Sequence, residues 1–346
     1  MDRLAVVQTA FLGDIVLTTP LLREIKRARP GSSLTVVTTP LGRAVLSGHP
    51  SVDEIVVHDK RGDDRGPLGV ARAVAKLRAS RLDAVVVAQR SARSGLIARG
   101  SGARVRVGFS DAPGRWAYTD RVAWAGTEHA VRRYLALSGP IGGDPAAADP
   151  TPCLAVAEEA RARIEASLAA RGIGPREEVL AIAPGSIWGT KRWTPEGFAE
   201  VSRAAGGMGL RSVLVGAPEE AALCAQIARS GGSGAAVLAG ATGPSELVAL
   251  LSRARALVTG DSGPGHVASA VGTPVVAIFG PTVPAFGYTP WGERNRIVET
   301  DLPCRPCDHH GPRVCPLVHH RCMRDIPVSR VLSALSDALA QRARPG

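Results

Sequence analysis

The sequence predicts an α/β fold made of two doubly wound parallel sheets in succession, and three observations predict it. Short apolar runs of strand length alternate with helical patterns through both halves of the 346-residue chain. Apolar residues make up 45% and aromatics only 4%. The core must therefore be built from Ala, Val, Leu and Ile, which suits parallel strands buried on both faces. The length suits about two domains of ordinary size, each able to bury its own core.

Taken in order, LAVVQT (4–9), SLTVVT (33–38), EIVVH (54–58), DAVVVA (83–88) and RVRVGF (104–109) read as short strands, rich in β-branched residues and bounded by turn formers. Helical patterns over Ile15–Arg29, Leu68–Ala79 and Ala130–Leu137 separate or follow them. The stretch GPIGGDPAAADPTP (139–152) is dense in Gly, Pro and Asp, has no periodicity and reads as the linker. A helix over Ala157–Arg171 then opens a second run of strands: VLAIAP (179–184), RSVLVG (211–216), AAVLAG (235–240), RALVTG (255–260) and PVVAIFG (274–280). The expected domains are 1–150 and 151–327, the latter carrying a Cys-rich loop at 303–323. A C-terminal segment, 328–346, contains an amphipathic helix (Val328–Ala340) expected to pack near the junction. Two similar halves in sequence imply a cleft between them.

The formal charge of +11 is uneven. Residues 1–150 hold 22 Lys and Arg against 14 Asp and Glu, and residues 151–346 hold 20 against 17. The first half is thus expected to meet the more anionic partner: nucleic acid, an anionic membrane surface or an acidic substrate. Scattered arginines on solvated helices are the alternative. The opening apolar run is interrupted by Asp14 and is too short for a secretory signal. No stretch approaches the roughly 20 apolar residues that span a bilayer. The expected location is the cytoplasm.

Two stretches of the second half, APGSIWGTKRW (183–193) and GDSGPGHVASAVGTPVVAIFGPT (260–282), each follow a strand-like run and lead into a helix. A helix N-terminus with small residues offers bare N–H groups and a positive dipole end to an anion. In the second, Asp261-Ser262-Gly263 forms the turn, and Gly263 and Gly265 leave room for a phosphate. Such junctions also serve merely to turn the chain in doubly wound domains, so two of them mark a candidate site rather than establish one.

TAFLGDIVLTTPLL (9–22), PGSIWGTKRW (184–193) and DSGPGHVASAVGTPVVAIFGPT (261–282) together resemble the ADP-heptose:lipopolysaccharide heptosyltransferase family, and the resemblance spans nearly the whole chain. It implies an inverting glycosyltransferase of GT-B architecture, with two Rossmann-like domains facing a substrate cleft. The C-terminal Cys-containing tail points toward the second-heptose type. The implied donor is ADP-heptose. The implied acceptor is an acidic, lipid-linked core oligosaccharide reached at the inner face of the cytoplasmic membrane.

The resemblance makes Asp14, after Gly13, the general base that takes the proton of the acceptor hydroxyl. An Asp just before a helical run is also a good N-cap, and that reading stays open. Lys191 is implied to meet the diphosphate, stabilising charge that grows as the nucleotide leaves. Ser186 adds a hydroxyl, while Arg192 and Trp193 suit packing or surface roles. Ser262 and Gly263 would offer donors to phosphate and Asp261 would accept from sugar hydroxyls. His266 would donate to a phosphate oxygen or else sit satisfied in the core. Thr282 lies where open α/β sheets bind ligands, or is an ordinary turn residue.

No Asp-x-Asp triplet occurs, so no catalytic metal is expected and activity should survive EDTA. Cys304, Cys307, Cys315 and Cys322, interleaved with His309, His310, His319 and His320, have the count and first spacing of a structural zinc site. Redox chemistry and plain packing remain alternatives, disulfides being disfavoured in a reducing compartment. Cys153 and Cys224 read as small core residues.

Two other classes of function are weighed. A nucleic-acid module would use the basic surface, but aromatics for base stacking are scarce and no reading motif is present. A nicotinamide enzyme needs G-x-G-x-x-G, where the first turn reads TAFLGD (9–14). An epimerase on the same architecture stays open on fold alone.

Overall fold

A computed structural model describes residues 1–232 and 234–340. Residues 341–346 of the expected C-terminal segment lie outside them. The chain divides into two compact units, Met1–Ala155 and the residues from Val156 onward.

In the first unit, β1 (Arg3–Gln8), β2 (Ser33–Thr38), β3 (Glu54–Val57), β4 (Ala84–Val87), β5 (Val105–Phe109) and β6 (Asp120–Val122) form one sheet in the order β3-β2-β1-β4-β5-β6. Every pairing is parallel. In the central register Val6 lies between Val36 and Val86, all fully or nearly fully buried, as expected of strands covered on both faces. The helices are α1 (Leu12–Leu17), α2 (Thr19–Ala28), α3 (Pro40–Leu46), α4 (Gly66–Ala79), α5 (Ala92–Gly100) and α6 (Ala130–Ala136). α1 contacts α2, α3 and α6, whereas α4 and α5 pack on each other. Right-handed crossovers put these two groups on opposite faces.

The second unit repeats the plan. β7 (Glu178–Ala183), β8 (Leu210–Leu214), β9 (Ala236–Val237), β10 (Ala256–Gly260), β11 (Val275–Phe279) and β12 (Arg296–Glu299) stand in the order β12-β11-β10-β7-β8-β9. Its helices are α7 (Glu158–Ala169), α8 (Pro195–Gly207), α9 (Ala221–Gly231), α10 (Pro244–Arg253), α11 (Gly263–Ala270), α12 (Arg321–Arg324) and α13 (Val328–Ala340). Leu180, Ile182, Val258, Val276 and Ile278 of the sheet meet Trp193, Phe198 and Val201, and also Val331, Leu335 and Ala338 of α13. Those three α13 positions follow the i, i+4, i+7 stripe of a helix buried on one side. α13 lies on β10, β11, β12 and α8 of this unit. Full burial of Leu335 contributes about 2 kcal/mol.

Two sequence expectations differ from the structure. The single helix expected over 15–29 is two helices. The N–H of Thr18 closes α1 on the carbonyl of Asp14 (3.0 Å), and Pro20, with no N–H to give, sits in the first turn of α2. The stretch 139–152 is not a slack tether. Ile141 and Ala148 are buried, the N–H of Asp144 donates to Glu24 Oε1 (2.7 Å), and Arg23 Nη2 donates to the carbonyls of Asp149 and Thr151 at 2.8 and 2.9 Å. Its glycines and prolines turn the chain around α2. No described helix is long and apolar enough to cross a membrane.

Candidate active site

In an open α/β sheet the loops beyond the strands diverge where the strand order reverses, and ligands bind there. In the second unit that point lies between β7 and β10. The loop after β7 ends in a short turn, Gly189–Lys191, and β10 runs straight into Asp261 and α11. Lys191 Nζ lies 2.6 Å from Asp261 Oδ2, and the Thr282 hydroxyl, beyond β11, donates to the same oxygen at 2.7 Å. Residues singled out in two separate motifs thus meet at one oxygen of Asp261. Lys191 is 11% exposed and Asp261 12%, so their attraction is less screened than that of a surface pair.

The backbone makes this convergence possible. A Cβ on Gly260 would sit 2.7 Å from the Lys191 carbonyl, so only glycine lets the two loops meet. Ser262 starts α11 with extended φ and ψ, and its hydroxyl pairs with Thr259 Oγ1 (3.0 Å) rather than capping the helix. The first turn of α11, with Gly263 in it, therefore has no side-chain cap, which suits an external anion. Gly265 instead allows packing, since a Cβ there would meet Pro290 at 3.3 Å. His266, one turn into α11, is buried.

Ser186 is buried, its hydroxyl accepts the Trp188 N–H (3.3 Å), and its carbonyl accepts Arg192 Nε and Nη2 at 2.9 and 2.7 Å. Arg192 thus closes the loop on itself. Trp193 is a core residue, edge-on to Phe198 with Nε1 donating to the Ile326 carbonyl. Glu220, which the sequence reading missed, fills the space over Gly185 and Gly216 at the ends of β7 and β8. No motif flags it, because the contact is made through two bare glycines.

The Cys-rich loop forms a wall of this region. Cys307 N–H donates to the Pro281 carbonyl (2.9 Å), and Thr190 Oγ1 bonds the Pro312 carbonyl. His320 Nε2 lies 2.8 Å from the Thr190 carbonyl, and the ring of His310 lies parallel to Trp188. Arg305, its side chain 5% exposed, ties together the carbonyls of Gly280, Thr282 and Thr300 and the carboxylate of Glu299. The cysteines are free thiols. Burial, then Cys304 and Cys315, pushes Cys307 up, and burial, then Cys307, pushes Cys322 up to about 11. Among the described residues no group of three or more His, Cys, Asp and Glu is set to hold a metal ion.

In the first unit the corresponding reversal lies between β1 and β4, and here side chains stitch it together. Gln8 Nε2 donates to the Ala88 carbonyl (3.2 Å) and to Thr18 Oγ1 (3.0 Å). The N–H of Thr9 donates to Gln89 Oε1 (2.9 Å), and Gln89 Nε2 donates back to Thr9 Oγ1 (3.0 Å). Gly13 and Asp14 follow in α1. The N-cap of α1 is Phe11, not Asp14, so capping does not account for this carboxylate. Instead Tyr134, from α6 and 120 positions away, donates its hydroxyl to Asp14 Oδ1 at 2.7 Å. Tyr134 is buried and leans on Phe109.

Cations of the loop after β3 lie near this point. Burial, then Arg61 and Arg93, depresses the Lys60 pKa, while Asp14 works against them. Arg61 also lies over the Phe11 ring. Away from this cluster, burial and then Arg23 push His49 down to about 4, and His49 Nε2 lies 3.4 Å from Cys153 Sγ. Cys224 is fully buried, its thiol pushed up to about 12.

The model of glycosyltransferase family 9 (heptosyltransferase) matches residues 70–317, most of the chain. The chain belongs to this family. This family 9 glycosyltransferase is 27% identical to lipopolysaccharide heptosyltransferase 2 of Salmonella typhimurium, over 98% of this chain and 99% of that one. Among solved structures it is similar to a family 9 glycosyltransferase from Veillonella parvula (TM-score 0.87, 24% identity, 98% of each chain). It is also similar to the E. coli ADP-heptose LPS heptosyltransferase II (TM-score 0.77, 24% identity, 98% of each chain). The fold of this glycosyltransferase is the α/β GT-B architecture of those enzymes.

Proposed function

We propose that this glycosyltransferase moves L-glycero-D-manno-heptose from ADP-heptose to the inner core of a lipid-anchored lipopolysaccharide precursor, by inverting displacement without a catalytic metal. The observation that carries the donor side is the meeting of Lys191 and Thr282 on one oxygen of Asp261 beside the uncapped start of α11. A diphosphate bound there takes Lys191 from Asp261, and the released carboxylate then accepts from sugar hydroxyls. Heptosyltransferase 2 of Salmonella, aligned end to end with this chain, supports the choice of sugar and acceptor.

On the acceptor side Asp14 acts as base. Tyr134 donates to Oδ1 and holds the carboxylate in place for the incoming hydroxyl. As that oxygen attacks the anomeric carbon from the face opposite the diphosphate, its proton passes to Asp14. The bond from the anomeric carbon to oxygen breaks, and its electron pair leaves on ADP. The growing charge is met by Lys191, the α11 N–H groups through Ser262 and Gly263, and His266, with Ser186 holding the loop. Lys60, Arg61 and Arg93 supply positive charge for phosphate or carboxylate groups of the acceptor, at the inner face of the cytoplasmic membrane.

The two assigned domains, 1–150 for the acceptor and 151–327 for the donor, belong to this reading. So does a structural zinc on Cys304, Cys307, Cys315 and Cys322, a reading supported by their count and spacing in the sequence. Elemental analysis of protein purified without chelator decides the zinc. The reaction is tested by offering ADP-heptose, UDP-sugars and GDP-sugars with truncated core acceptors and following nucleotide release. Acceptor-dependent ADP release with inverted product is expected. Preference for a UDP- or GDP-sugar would overturn the donor, and release without acceptor would overturn transfer.

A further inference from the structure

α4 and α5 of the first unit pack side by side and run in the same direction. Arg93 Nη1 reaches the Asp64 carbonyl near the start of both, and a Cβ on Gly100 would meet Val74 near their ends. Leu68 and Leu96 therefore stand at matching heights, 76% and 48% exposed. The short turn Arg115–Ala117 is seated beside α5, where the backbone of Gly114 lies so near Gly95 that a Cβ there would be 2.8 Å from it. It presents Trp116, 55% exposed.

The charge on the outward faces of α4 and α5 has one sign. On α4 the outward line is Leu68, Arg72, Ala75 and Ala79, flanked by Lys76 and Arg78, and on α5 Leu96 is followed one turn later by Arg99. No Asp or Glu occurs from Arg65 to Leu82 or from Ala84 to Ser110. Asp64, in the loop before α4, is engaged by Arg72 at 3.0 Å. Among the described residues Lys76, Arg78 and Arg99 make no ion pair.

We propose that this face lies on an anionic lipid surface, with Leu68, Leu96 and Trp116 entering the headgroup layer and Lys76, Arg78 and Arg99 meeting lipid phosphates. Exposed Trp and Leu ringed by cations is the chemistry of interfacial binding. A second copy of the chain is a poor occupant, since a two-fold contact would set the cations of α4 and α5 against themselves. Nucleic acid has no use for exposed leucines. The inference concerns where the lipid-linked acceptor reading is carried out, and its test is separable from turnover.

The test is co-sedimentation of the full chain with phosphatidylcholine vesicles containing about 30% phosphatidylglycerol, against pure phosphatidylcholine. Binding to the anionic vesicles alone, weakened by salt, is expected. L68S/L96S/W116S and K76E/R78E/R99E should each lower it about tenfold or more, with unchanged circular dichroism and unchanged turnover of a water-soluble acceptor. Wild-type binding by both variants, or none by the parent, overturns the proposal. So does a concentration-dependent dimer abolished by the leucine variant, or tighter binding to an oligonucleotide than to the vesicles. Loss of turnover in every protein, with vesicle binding intact, would instead sink the transferase reading and leave this one standing.

Discussion

Replacing Lys191 by Ala separates a structural ion pair from a diphosphate ligand. At 2.6 Å and an effective dielectric near 20, the raw Lys191–Asp261 attraction is about 6 kcal/mol, much of it offset by desolvation. Lys191→Ala leaves a carboxylate that is 12% exposed with the Thr282 hydroxyl as its named partner, a loss of about 2 kcal/mol and a fall in Tm of about 4–8 °C. The same change should weaken ADP binding about tenfold or more and cut kcat/KM about 10²-fold, because charge on the leaving diphosphate loses its counter-ion. The assay is ADP titration calorimetry beside thermal melts for Lys191→Ala, Asp261→Asn and the double variant. ADP lacks the sugar, so any role of Asp261 toward sugar hydroxyls is silent. In the double variant no buried carboxylate is unpaired. Its Tm should return toward that of the parent while ADP affinity stays low. If affinity returns together with stability, Lys191 serves the fold and the placement of the diphosphate is wrong.

Asp14→Asn should leave ADP affinity within about twofold while lowering kcat by about 10² or more, and a variant keeping most of its rate removes Asp14 as the base. Tyr134→Phe takes away a hydrogen bond to the ionised carboxylate, so the acid limb of the kcat profile should move to higher pH, with KM for donor unchanged; an unmoved limb makes Tyr134 a packing residue. His49 stays neutral in the fold because burial, then Arg23, depresses it to about 4. The unfolded chain takes up that proton from about pH 6.5 downward, so stability falls between about pH 6.5 and 4, by about 3 kcal/mol at most. His49→Gln should flatten urea-melt midpoints across that window. EDTA should leave the initial rate unchanged, and recovery only on adding Mg²⁺ or Mn²⁺ would restore a metal to the chemistry.

The strands were legible wherever Val, Ile and Ala run together, since burial on both faces leaves little alternative to such runs. β6 and β12 escaped because Asp120, Arg121, Arg296 and Glu299 carry charges and the strands stand at sheet edges, where one side needs no apolar cover. The break at Thr18 was hidden by a continuous apolar stripe, although Pro20 was in view. At the candidate site, the loops bearing Lys191, Asp261 and Thr282 could be named from local grammar, but their meeting on one oxygen depends on strand order, which no local window contains. Tyr134 was out of reach for the same reason: 120 residues of chain separate it from the carboxylate it serves. Glu220 and the packing of the Cys-rich loop against Thr190 likewise depend on long-range approach rather than on residue type.

One scaffold is written twice in this chain, and the glutamine stitch of Gln8 and Gln89 makes the copies unequal. The Gln8 amide is spent on Thr18 and the Ala88 carbonyl and the Gln89 amide on Thr9 across the first crevice, whereas on the proposed reading its twin keeps a lysine and backbone donors for a nucleotide. Severed at Ala155, the leading fragment should ignore ADP at any concentration that saturates the trailing one. On that reading the shape is repeated and the ligand is not.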